Sequence, residues 1–225
     1  SLLGHPDRAR VALPLLVLLP GAVWLGVSAD ALFAGTTATG IALLALATVR
    51  HVAWAVPAGA ILGFGIFLSY GLITLGAVAL AVVVTTRAWR AFGLAVAAAL
   101  AVVGLFASAG FWWLDGYHAV VDRYYDGIAA DRPYWFWVWA NLGCLALATG
   151  PAIGPGLRRA ACAVRAAPRL VAVVAGAVVI VAAADLSGLS KAEVERIWLP
   201  FAVWLLAATA LLPARSARWW LTVQA

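Results

Sequence analysis

Charge is what this sequence has least of. Of its 225 residues only 11% are charged, against 66% hydrophobic, and the mean hydropathy is +1.02. Soluble domains carry about 25% charged residues, so a water-soluble globule is excluded, and with it a disordered or nucleic-acid-binding chain. Methionine is absent and the chain opens on Ser1, which reads as the C-terminal part of a longer protein. The two cysteines are Cys144, in an apolar run, and Cys162, in an arginine-rich stretch, so no disulfide framework is expected. No nucleophile triad, haem pair or zinc spacing is present. Gly150-Pro151 and Gly154-Pro155-Gly156 lack the spacing and the lysine of a phosphate loop, and read as a helix end followed by a loop.

What is present is a series of apolar runs cut by charges and by Gly/Pro breaks. A membrane-spanning helix needs about 20 apolar residues, and the cuts predict eight spans, at 11–27, 31–49, 52–67, 71–86, 91–110, 134–150, 168–184 and 199–212. The stretch Val52–Val84 holds 33 residues without a charge, and Ser69-Tyr70-Gly71 is its natural turn. Arg8 and Arg10 ahead of an apolar run ending at Ala29-Asp30-Ala31 could imitate a signal peptide, but the apolar run that follows favours a transmembrane hairpin. The expected fold is therefore all-α: one polytopic helix bundle over residues 1–225, held in a cell membrane with the lipid bilayer as its partner.

The net charge of +6 is distributed rather than diffuse. With the N-terminus inside, 11 of the 15 basic residues fall on the inner segments (Arg8, Arg10, Arg50, Arg87, Arg90, Arg158, Arg159, Arg165, Arg169, Arg215 and Arg218). Basic residues concentrate on the cytoplasmic side of membranes, so both termini of this piece are expected there. Eight of the nine acids fall on the outer side. Either a function located outside or avoidance of the anionic inner leaflet accounts for that.

Three outer segments carry candidate chemistry. In Phe111–Pro133 the stretch Tyr117–Ile128 has helical period, with Tyr117, Val121, Tyr124, Tyr125 and Ile128 on one side and His118, Asp122 and Asp126 on the other. Flanked by tryptophans, among the 12 in the chain, it reads as an amphipathic helix on the outer interface. The His118–Asp122–Asp126 stripe could hold a divalent cation or could be a solvated polar face. In Asp185–Trp198, Ser190 and Glu193 have the spacing of a capping box, so a helix is expected from about Lys191 into the last span, with Glu193, Glu195 and Arg196 in its first turns. Arg196 could bind a lipid-linked phosphate through its planar fork, or pair with Glu193 one turn back. Asp30, the only charge between Arg10 and Arg50, is a site candidate on the rule that lone acids between spans are functional, or a turn residue bonded to local backbone with Ser28. Gly59 and Gly63 form a small-xxx-small face for close helix approach. His5 and His51 read as interfacial.

Three stretches carry a resemblance: AVWLGVSADALF (22–33), RPYWFW (132–137) leading to Asn141 and Gly150-Pro151, and DLSGLSKAEVERIWL (185–199), the sharpest. Together they resemble actinobacterial integral membrane proteins similar to the GT-C (family 39-like) glycosyltransferases, polytopic enzymes that use polyprenyl-phosphate sugars. The resemblance implies sugar transfer from a polyprenyl-phosphate donor on the extracytoplasmic face. An outer carboxylate would deprotonate the acceptor and basic groups would hold the departing phosphate. In those terms Asp30 stands for base or acceptor contact, Lys191 and Arg196 with Glu193 and Glu195 for the substrate, and His118, Asp122 and Asp126 for a cation. Such enzymes usually carry their catalytic acid in a first outer loop, which on this reading precedes Ser1. The other class open to the chain is a noncatalytic membrane scaffold or a transporter, although no span has a charge at its middle.

Overall fold

The computed structural model describes residues 6–224, so His5 lies outside it. All regular structure among the described residues is helical. The chain runs α1 (Pro6–Val17), α2 (Ala22–Val27), α3 (Asp30–Val49), α4 (Ala55–Leu68), α5 (Gly76–Thr86), α6 (Trp89–Ser108), α7 (Trp113–Tyr125), α8 (Tyr134–Thr149), α9 (Ile153–Cys162), α10 (Pro168–Leu186), α11 (Val194–Ile197), α12 (Leu199–Leu206) and α13 (Ala214–Gln224). Three 3₁₀ stretches, Val52–Trp54, Tyr70–Leu75 and Ala207–Leu211, lead into α4, into α5 and out of α12.

Three helices are long and apolar enough to cross a membrane: Asp30–Val49, Trp89–Ser108 and Pro168–Leu186. A fourth candidate is α8 with α9, bent by 98° at Gly150. Val52–Leu68, Tyr70–Thr86 and Leu199–Leu211 are shorter apolar helices. The break between α4 and α5 falls at Ser69, which is extended at φ −157°, as the turn signal there predicts. The stretch 11–27 is not one helix. Proline 20 has no N–H to continue α1, and α2 starts afresh at Ala22. Polar groups freed by the break are satisfied from elsewhere: Gly21 N–H donates to the Ala148 carbonyl at 2.8 Å, and Gln224 Nε2 donates to the carbonyls of Leu15 (2.7 Å) and Leu18 (3.1 Å). In hydrocarbon, backbone groups have no water to turn to, so the last helix completes the first.

The core lies where α3, α5, α8, α10 and α12 meet, around Ile41, Leu75, Val82, Ile180, Trp198 and Phe201. Large apolar side chains such as Leu100, Leu105, Leu147 and Val179 are exposed on the outside. A water-soluble protein rarely presents so continuous an apolar exterior, and a bilayer would cover it.

Small residues set the helix spacing. A Cβ at Gly59 would overlap the Ala95 carbonyl, and one at Gly63 would lie 2.7 Å from the Ala99 Cα, so α4 and α6 touch backbone to backbone along the expected small-residue face. Gly176 makes a similar approach to Ala77 between α10 and α5. Because the obstacle at Gly59 is backbone, Gly59→Ala is expected to force α4 from α6 and cost about 1–3 kcal/mol. Thermal unfolding in detergent checks this against Gly93→Ala, which has open space around it and is expected to be neutral or better.

Candidate functional site

The segments expected on the outer side gather at one end of the bundle. Tyr125 donates its hydroxyl to Gly188 O at 3.3 Å, Arg132 donates to Lys191 O, and Trp113 Nε1 donates to Ile66 O at 3.0 Å. The segments expected inside gather at the other end, where Arg8, Arg159 and Ala214 border one cavity.

Asp30 opens α3 and is only 5% exposed. Its backbone N–H donates to Ser28 Oγ at 3.3 Å, which realises the local turn reading, and its carboxylate suits the positive end of α3. It does more than turn the chain. Arg196 Nη1 donates to Asp30 Oδ2 at 3.3 Å, while Nη2 donates to Glu193 Oε2 at 2.6 Å. Arg196 thus joins both partners through its two arms. The hydrogen bond to Glu193 raises the guanidinium pKa above its ordinary value, partial burial opposes this, and the Asp30 charge adds to it. The arginine stays cationic at every pH of interest. Glu193 itself is exposed, and Glu195 is half-buried and in no ion pair among the described residues.

The capping box does not form, and the helix does not begin near Lys191. Ala192 (φ 78°) and Glu193 (φ 60°) both lie in the left-handed region, and α11 starts only at Val194. The cause is Asn141, a residue in the middle of an apolar run and 2% exposed. Its Nδ2 donates to Asp185 Oδ1 at 2.8 Å and to the Ser190 carbonyl, and its Oδ1 accepts from Ala192 N–H at 3.3 Å. The amide therefore takes the Ser190 carbonyl, which a helix capped at Ser190 would use for its first intrahelical bond, and ties down the Ala192 N–H. Left-handed backbone at two consecutive residues with side chains is strained, and these bonds hold it.

Lys191 is not an open phosphate ligand. It is buried, its Nζ donates to the Ala129 carbonyl at 3.0 Å, and it sits 5.1 Å from the centre of the Tyr125 ring. Its backbone N–H donates to Tyr124 Oη at 2.7 Å, and burial raises the Tyr124 phenol above its usual pKa. Lysine 191 pins α7 to the segment before α11.

The periodicity of α7 holds as far as Tyr125. Tyr117, Val121 and Tyr124 face inward and His118, Asp122 and Asp126 are exposed on the other side, but Ile128 lies beyond the helix and is exposed. The acidic stripe does not close into a ligand set: among the described residues no three His, Cys, Asp or Glu side chains converge on a metal position.

Between α7, the turn at Tyr70 and the α10–α12 connection lies a cavity of about 560 Å³, lined by Phe33, Tyr70, Trp113, Tyr117, Tyr124, Ser190, Ile197, Trp198 and Phe201 among others. Trp198 is 1% exposed and its indole Nε1 has no partner among the described residues. Asp30, Glu193 and Arg196 are not among the cavity's lining residues, although Phe33, one turn beyond Asp30, and Ile197, next to Arg196, are. Sequence reasoning named Asn141 only within a resembling stretch and gave it no role, and it missed the cavity. The signal for Asn141 was a lone amide in an apolar run.

No family model, curated protein or solved structure matches this chain. The likeness to GT-C enzymes rests on the three sequence stretches alone.

Proposed function

We propose that this chain belongs to a GT-C-like glycosyltransferase, taking a sugar from a polyprenyl-phosphate carrier to an acceptor on the extracytoplasmic face of a cell membrane. On this reading the apolar runs make eight crossings with both ends of the chain cytoplasmic, and α7 lies in the outer interface. The observation that carries the proposal is Arg196, bridged between Asp30 and Glu193 at the acidic end, where the next residue, Ile197, lines an aromatic-walled cavity. A prenyl chain suits the apolar walls, and a phosphate suits a guanidinium whose geometry is already set.

On this reading the roles differ from the family expectation. Asp30, buried and bonded to the guanidinium, acts as the anchor that orients Arg196 rather than as an open base. Glu193, exposed and held only by the other arm, is the carboxylate that a lipid phosphate would displace. Charge favours the exchange, because a phosphate carries at least as much negative charge as the carboxylate that it replaces.

A second reading, a noncatalytic scaffold, is favoured by one observation: Asp30, Asp185, Lys191 and Arg196 already have partners inside the protein. Binding separates the two. In proteoliposomes of the full-length protein, polyprenyl phosphate is expected to compete with a radiolabelled polyprenyl-phosphate hexose, and Arg196→Lys to weaken binding about ten- to a hundredfold through loss of the bidentate fork. Carrier binding no stronger than that of bulk phospholipid would support the scaffold.

A further inference from the structure

The arginine-rich end carries a second site that the glycosyltransferase reading does not use. A slot of about 380 Å³ runs between α1, α3, α10 and α12. Its lining, including Ala12, Leu13, Ala45 and Val173, is apolar except for Arg8 and the indole of Trp204. Both exceptions are anomalous in the same way: Arg8 Nη1 and Trp204 Nε1 are buried and have no hydrogen-bond partner among the described residues. Buried polar groups are nearly always satisfied, so Arg8 and Trp204 are the two polar residues on the slot's lining with a donor to spare among the described residues. Arg8 also borders a second, more polar cavity of about 530 Å³, which Arg159 of α9 lines as well. Asp7 reaches this cavity too, but its carboxylate is exposed and paired with Arg10 at 3.3 Å.

We propose that this end binds an anionic phospholipid of the surrounding leaflet, with an acyl chain in the slot and the phosphodiester on Arg8 between the two cavities. The arrangement is amphipathic in the same sense as the lipid: an apolar slot on one side of the guanidinium, a polar recess with a further arginine on the other. A free phosphate would leave the slot empty, and a zwitterionic lipid would bring a choline cation into the recess that Arg8 and Arg159 already line, which a net anionic lipid does not. Lateral entry is open, because Leu13 lines the slot and is 58% exposed on the apolar exterior.

The test is native mass spectrometry of the full chain in detergent, titrated separately with phosphatidylglycerol and phosphatidylcholine. Phosphatidylglycerol is expected to be retained about tenfold more strongly. Arg8→Gln should remove that preference, while Arg10→Gln, at the exposed neighbour paired with Asp7, should leave it. Ala12→Leu fills the slot without touching the guanidinium and should reduce retention of both lipids. It carries the test alone if Arg8→Gln does not fold. Equal retention of the two lipids, unchanged retention in Ala12→Leu, or displacement of phosphatidylglycerol by millimolar inorganic phosphate would each overturn the proposal.

Discussion

Replacing Asn141 by leucine is expected to destabilise the protein by about 3–5 kcal/mol, although leucine suits the apolar helix α8 better on hydropathy alone. The side chain bonds Asp185, the Ser190 carbonyl and the Ala192 N–H at once. Hydrogen bonds between membrane helices average only about 0.6 kcal/mol, because separated helices find other partners, so three such bonds amount to roughly 2 kcal/mol. The remainder comes from Asp185. It is buried near the C-terminal end of α10, where the helix dipole disfavours a carboxylate, and breaking a buried polar network by removing one partner leaves the other unpaired. Reversible unfolding in mixed micelles reads the loss. The double variant Asn141→Leu/Asp185→Leu should recover part of it. A loss under 1 kcal/mol in the single variant would mean that water already serves Asp185.

The same amide explains why one part of the site was illegible in the sequence. The apolar runs at 31–49, 52–67, 71–86, 91–110, 134–150 and 168–184 each correspond to a helix, and three of these are long and apolar enough to cross a membrane, because charges and breaks end apolar runs locally. Gly59 and Gly63 were legible for the same reason: small residues one turn apart make a face whatever the fold. Ser190 and Glu193 have equally local spacing, yet the box loses to Asn141, Tyr124 and Arg132, which reach the 190–192 backbone from α8, α7 and the connection between them. No pattern within 14 residues contains those partners. Helix α9 was hidden differently. Its Gly-Pro-Gly reads as a loop, but proline is tolerated in a first helical turn, and α9 begins at Ile153, two residues before Pro155. The Asp30–Arg196 contact was legible only in part, since the sequence offered Glu193 as the arginine's neighbour and left Asp30 without one.

Removing the Arg196 guanidinium with Arg196→Leu is expected to cost about 3 kcal/mol, nearly all of it through Asp30. Loss of one partner from a buried pair costs about 3–5 kcal/mol. The lower end applies because the Arg196 side chain is 35% exposed and water screens that side, whereas the Asp30 side chain is 7% exposed. Glu193 contributes little, since an exposed pair one turn apart is worth a few tenths of a kcal/mol. Glu193→Gln should therefore be almost silent in stability. A double-mutant cycle on Asp30→Leu and Arg196→Leu should show the double variant well above the sum of the singles, because it removes both charges together. Ligand response then separates anchor from site. If Asp30 orients Arg196 for a phosphate, polyprenyl phosphate should raise the unfolding midpoint of the native protein and, more strongly, of Glu193→Gln, in which no carboxylate competes. It should not raise that of the Asp30→Leu/Arg196→Leu variant, which is expected to fold because both charges are removed together but lacks the guanidinium. Equal shifts in all three proteins would leave the triad as a brace between α3 and α11 and place any lipid phosphate elsewhere.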